Sequence, residues 1–214
     1  MLLRQARMLR AEGTDTVVAV VNSETALLIE SRALAIPGWM RLAVRDTASS
    51  MESLFTLAEY LDGAARFLLA TVDAVVDGAE LRRFVADATE VSKDAAARYA
   101  GALAVVRWRG ERRPLFAEVS EDGAIVALGD RHSALITAGF YLLPAAIFEL
   151  APAARAAGLD AMRRLLAMAV RGGMRLAAIE LSNVIDVDEA ADLAAARAMV
   201  RQGPQGGAAQ NRGQ

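Results

Sequence analysis

The sequence contains no cysteine and a single histidine, His132. That excludes disulfides, thiolate metal sites and any histidine-rich metal centre, so a divalent ion bound here has to rest on carboxylates. An excess of one charge is also lacking, because 24 lysines and arginines nearly cancel 26 acidic residues and both are spread along the chain. No basic stripe for nucleic acid or anionic lipid results. Long apolar runs are missing too: the longest, Leu135 to Phe148, is interrupted by Gly139 and Pro144 and falls short of the ~20 residues that span a bilayer. The opening MLLRQARMLRAEG carries spaced arginines, unlike a signal peptide. The expectation is a soluble, cytoplasmic protein that binds neither nucleic acid nor membrane; a homo-oligomer is compatible with it.

What is present suits one buried core. The 214 residues are 55% hydrophobic, within the range of a single domain. Residues Leu2 to Glu12 have helical spacing and stop at Gly13, and Thr16 to Val21 (TVVAVV) reads as a strand covered on both faces. Helices then alternate with strands: helix Glu24 to Ala35, strand Met40 to Val44, helix Ser50 to Leu61, strand Arg66 to Val72, helix Ala79 to Ala88. Such alternation predicts βαβ units. Three strands with short links follow, Ala102 to Trp108, Leu115 to Val119 and Ala124 to Leu128, the last two joined by a turn at Glu121, Asp122 and Gly123. After the strand Leu135 to Leu143 come helices at Ala145 to Leu150 and Leu159 to Val170, a strand from Arg175 to Leu181, a short segment Val184 to Val187 and a helix Glu189 to Val200. The domain is expected over 1–201, with residues 202–214, rich in glycine and glutamine, disordered.

Three stretches together resemble the nucleotidyltransferase family, the sugar-phosphate nucleotidyltransferases and molybdenum cofactor guanylyltransferase-like enzymes. FLLATVDAVV is similar to the family's strand ending in a magnesium-holding aspartate, here Asp73. LITAGFYLLPAAIFEL resembles the strand with glycine and tyrosine that leads through proline into a helix, and IDVDEAADLAAARAMV resembles the closing acidic loop and helix. With LLRQARMLRAEGTDTVVAVVN and DTASSMESLFTL in the matching order, the likeness extends to Val200. It implies an α/β fold of the nucleotide-diphospho-sugar transferase type, a Rossmann-like open, mostly parallel sheet flanked by helices. It implies transfer of a nucleoside monophosphate from a nucleoside triphosphate to a sugar phosphate or similar small phosphorylated acceptor. One departure stands out: nothing in these residues matches the family's glycine-rich loop, as if the first strand and loop were absent, and the likeness therefore implies impaired activity. The alternative is a noncatalytic small-molecule-binding or regulatory domain of the same fold.

The resemblance assigns Asp73 and Asp186 as ligands of Mg2+, with Asp188 as a further one, Ser50 and Ser53 as nucleotide contacts, and Gly139 and Tyr141 as acceptor contacts. Each has a local reading beside it. Asp73 suits a turn or cap, and Asp188, Glu189 and Asp192 suit the positive end of the following helix dipole. Ser49-x-x-Glu52 is a capping box that starts a helix, and Gly139 suits a packing constraint within a strand. Arg107, Arg109, Arg112 and Arg113 read as the solvated edge of a hairpin, with a phosphate site as the alternative. His132 reads as a surface loop residue.

Overall fold

The computed structural model describes residues 1–61, 63–93 and 98–202, so the expected disorder of 203–214 lies outside the described residues. The chain opens with α1 (Leu2–Ala11), β1 (Val17–Val21), α2 (Ser23–Ser31) and β2 (Met40–Val44). The strands pair in parallel, from Val17 beside Met40 to Val21 beside Val44. One face of α1 closes over them, burying Ala6 against Val17 and Met40 with Leu2, Leu3 and Leu9 around it. Of β1, however, only Val17 and Val21 are buried. The expectation of a strand covered on both faces does not hold: α1 packs on β1, while α2 buries none of its residues and, among the described residues, β1 has a strand on one edge only. α2 starts on Asn22, whose side chain accepts from the Thr25 N–H at 2.8 Å, yet it buries none of its residues.

Next come α3 (Ser50–Thr56), which runs on into a 3-10 turn at Leu57–Tyr60, then β3 (Arg66–Ala70), β4 (Ala74–Val76) and α4 (Gly78–Val91). The second half holds β5 (Gly101–Arg107), β6 (Phe116–Val119), β7 (Ile125–Gly129), β8 (Leu135–Pro144), α5 (Ala151–Ala156), α6 (Met162–Arg171), β9 (Leu176–Glu180), β10 (Val184–Asp186) and α7 (Ala190–Gln202). The main sheet has the order β7-β6-β8-β5-β9, with β3 also paired to β8. β3, β5, β6 and β9 share one direction, and β8 and β7 run against them. The common direction of most strands follows the sequence pattern, while β8 enters the middle antiparallel. Among the described residues, neither β1 nor β3 has a strand on its second edge.

Both faces of this sheet are covered. Strand side chains alternate sides, so Leu103 and Val105 of β5 pack with Tyr141 and Leu143 of β8 under α3 and α6. Ala102, Ala104 and Val106 join Phe140 and Leu142 under Leu81 and Phe84 of α4. This explains why β5 shows no polar face: Gly101 to Val106 are all buried.

β8 is long because it serves two partners along one edge. Its start pairs with β6 at Leu135 and Ile136, and its end pairs with β3 from Phe140 to Pro144. Between them the register against β5 shifts, with Leu103 opposite Tyr141 but Val105 opposite Thr137. Gly139 sits in this bulge with φ of +72°, a conformation that costs glycine little and other residues much. A β-carbon there would lie 2.5 Å from the Ala74 Cβ and 2.6 Å from the Thr71 Oγ1. The residue that needs Gly139 to be small is thus the chain's own β3–β4 turn.

Candidate active site

That turn carries Asp73. β4 and β10 form an antiparallel ladder in which Asp186 stands opposite Ala74, and the Val187 N–H donates to the Asp73 carbonyl at 3.1 Å. The ladder brings the Asp73 and Asp186 side chains to the wall of one cavity of about 320 Å³. Asp73 Oδ1 is buried without a hydrogen-bond partner, alone in this among the side-chain polar atoms of the described residues. An unpaired buried carboxylate oxygen is costly, so the position is suited to a cation. The Asp186 carboxyl is pushed up to about 6, first by burial of its carboxylate and then by the charges of Asp73, Asp188 and Asp192, with Arg163 opposing.

Asp186 therefore opposes folding when ionised. Its native-state preference for the neutral form is fully felt below its ordinary value of about 4 and is lost as pH rises through 6. In metal-free buffer, Asp186→Asn is expected to be more stable than the wild type at pH 8 by about 1 kcal/mol, because solvent screening at this exposed residue reduces the full effect. The difference should shrink between pH 7 and 4. Urea denaturation with chelator at pH 8 and pH 5 measures it, and a difference independent of pH would remove this account.

The same cavity is also lined by Arg112, Arg113 and Arg163. Arg112 is paired with Glu189 at 2.9 Å. Arg163 stands in the first turn of α6, where the helix dipole disfavours a cation by roughly 0.3–1 kcal/mol, and it forms no ion pair among the described residues. Its guanidinium donates to the Arg113 carbonyl at 3.2 Å, and Arg113 itself has φ of +51°. The cavity lining thus carries both carboxylates and guanidinium groups, a set that fits a metal-bound anion. Sequence reasoning read Arg112 and Arg113 as a solvated hairpin edge, with a phosphate site as the alternative, and did not single out Arg163. The one local sign was an arginine at a helix start without an acidic residue in the first turn.

Several solved structures share this architecture. The inositol-1-phosphate CTP transferase from T. maritima superposes with a TM-score of 0.71 at 18% identity, over 94% of this chain and 84% of that one. A UDP-glucose pyrophosphorylase gives 0.69 at 13%, over 94% and 86%. The CTP:phosphocholine cytidylyltransferase from Streptococcus pneumoniae gives 0.64 at 14%, over 91% and 82%. The chain has the fold of these nucleotidyltransferases. No family profile and no curated protein sequence matches it. No helix among the described residues is long and apolar enough to cross a membrane.

Within this nucleotidyltransferase fold the residues assigned from sequence separate into two groups. Asp73, Asp186, Ser50, Gly139 and Tyr141 all line the cavity. Ser50 is also structural, since its Oγ accepts from the Met162 N–H at 3.0 Å and so ties α3 to the start of α6. Ser53 is absent from the cavity wall, and its hydroxyl lies 2.6 Å from that of Thr47. Asp188 faces the neighbouring hollow beside Asn183 and Asp192, and Asp192 caps α7 by accepting from the Glu189 N–H at 2.8 Å. Among the described residues no three acidic or histidine side chains converge on one point. The Tyr141 phenol is driven up to about 12, first by burial and also by Asp73 and Asp186, so it stays neutral and shapes the cavity floor.

The capping box is only half made. Ser49 Oγ accepts from the Glu52 N–H at 3.2 Å, but the Glu52 carboxylate is taken by Arg155 in a two-point pair at 2.8 and 2.6 Å. His132 is an exposed loop residue, edge-on to Trp108 at 4.9 Å.

Proposed function

We propose that this protein is a nucleotidyltransferase that moves a nucleoside monophosphate from a nucleoside triphosphate to a sugar phosphate or similar small phosphorylated acceptor. The observation that carries this reading is the unpartnered Asp73 carboxylate oxygen beside Asp186, in a cavity also lined by Arg113 and Arg163. Two carboxylates suit Mg2+, which keeps several waters rather than demanding a full protein cage. When bound, the ion neutralises charge on the reacting phosphates and on the departing pyrophosphate.

The chain's own residues do the rest. Asp73 and Asp186 hold the ion, and the β4–β10 ladder keeps them adjacent before it binds. Arg163 and Arg113 line the same cavity and meet the negative charge of a phosphate there, so that donor and acceptor are drawn into one space. Ser50 and the backbone at Gly139 border that space, and Tyr141 contributes a neutral floor. Asp188 lies further out and supports the site through its charge.

Calorimetry with Mg2+ and each nucleoside triphosphate, paired with pyrophosphate release over a panel of sugar phosphates, tests the reading. Heat that requires Mg2+ and release that requires an acceptor support it. No heat with any nucleotide would sink it. Nucleotide or sugar phosphate binding without release would favour the noncatalytic domain instead.

A further inference from the structure

We propose that Gln5, on α1, is a positioning residue that holds Asp73 in its metal-ready place. The inference rests on the proposed function, since it takes Asp73 to be an ion ligand. Gln5 is 5% exposed, one of the two buried polar or charged side chains among the described residues. Its Nε2 donates to the carbonyl of Thr71 at 3.2 Å and to the carbonyl of Ala74, the residues on either side of the Val72–Asp73 pair. Its Oε1 accepts from Arg4 at 3.3 Å. Two carbonyls can be met only by the NH2 end of the amide, so this pattern leaves the side chain one orientation.

The position has no need of an amide for packing. Ala6, Leu2, Leu3 and Leu9 anchor α1 on β1 and β2, and an apolar residue at position 5 would be buried without desolvation cost. What the amide adds is a clamp across the turn. Among the described residues it is the only side chain bonded to the backbone of 71–74, with Arg4 gripping the Val76 carbonyl just beyond at 2.6 Å. The remaining restraints are backbone ones: the Thr71 N–H to the Gly139 carbonyl at 2.9 Å and the Val187 N–H to the Asp73 carbonyl at 3.1 Å. α1 belongs to the small β1–β2 unit, so Gln5 ties that unit to the carboxylate that takes the ion. Partners that orient a metal ligand typically change affinity by about 10–100-fold when removed.

The test uses Mn2+ as the probe, titrated by electron paramagnetic resonance against the full chain. Gln5→Met keeps the shape but cannot donate, and Gln5→Asn is one methylene too short to reach both carbonyls. Leu9→Ala is the control: it loosens α1 where the helix packs on β1 and β2 and removes neither Gln5 bond to the 71–74 turn. Each Gln5 variant is expected to weaken Mn2+ binding at least about tenfold and to speed amide exchange of residues 71–76 in metal-free protein. Leu9→Ala should lower stability while leaving the Mn2+ affinity within about twofold. Unchanged affinity in both Gln5 variants, or an equal loss in Leu9→Ala, overturns the positioning role alone. Absence of Mn2+ binding by the wild type overturns this inference together with the proposed function.

Discussion

Asp73→Asn is expected to abolish the stabilisation of this protein by Mg2+. Binding to the folded state alone stabilises by about 2.7 kcal/mol when the free ion is at about 100 times its Kd, roughly 5–10 °C in Tm for a domain of this size. The wild type should show that rise, and the variant should show none. In chelator the order reverses: the variant should melt at or above the wild type, since a charge is removed from beside Asp186, whose carboxyl the Asp73 charge helps to push up. The two halves of the prediction separate a ligand from a structural residue. A turn-forming or capping aspartate would lose stability in chelator and leave the Mg2+ response intact. Thermal melts of both proteins with and without Mg2+ decide between them, and an undiminished Mg2+ response in the variant would exclude Asp73 as a ligand.

Gly139→Ala should produce the largest loss of stability. The added methyl group meets Ala74 and Thr71 at 2.5 and 2.6 Å, and φ of +72° is strained for any L side chain. Overpacking costs about 1–3 kcal/mol and the strained backbone about 1–3 more, so a combined loss of roughly 2–6 kcal/mol is expected, or about 5–25 °C in Tm. The clash falls on Thr71 and Ala74, which flank Asp73, so relaxation of the turn disturbs the placement of that carboxylate. Mn2+ affinity should therefore fall with stability, measured by resonance titration and urea denaturation on the same preparation. A variant as stable as the wild type would show that the β3–β4 turn yields freely, and the geometric role of Gly139 would be lost.

Local signals carried most of the element pattern. Periodicity of apolar residues marked α1, α4 and α6, and the apolar runs marked β3, β5 and β8, because these segments bury wide faces that leave a regular imprint. The Gly123 turn and the Ser49 cap were legible since each depends on a few adjacent residues. β4 was not legible: three residues are too few to show alternation, and it exists only because β10 lies beside it. The helix expected to reach Ala35 ends at Ser31, where the chain turns through Ala33 at φ of +48°. Arg155 also redirected Glu52, which local reasoning had assigned to the capping box.

By itself, the sequence determined an α/β chain of alternating elements without thiolate or histidine-rich metal sites, and through resemblance it singled out Asp73 and Asp186. Only the tertiary structure decided that these two share a cavity, that Arg163 and Arg113 line it with them, and that Gln5 reaches the Asp73 turn from 66 residues away in the chain. The reason is physical. Helices and strands arise from neighbours a few residues apart, whereas a site of opposed charges arises where a bulge, a three-residue ladder and a distant helix meet, and no short window of sequence contains those contacts.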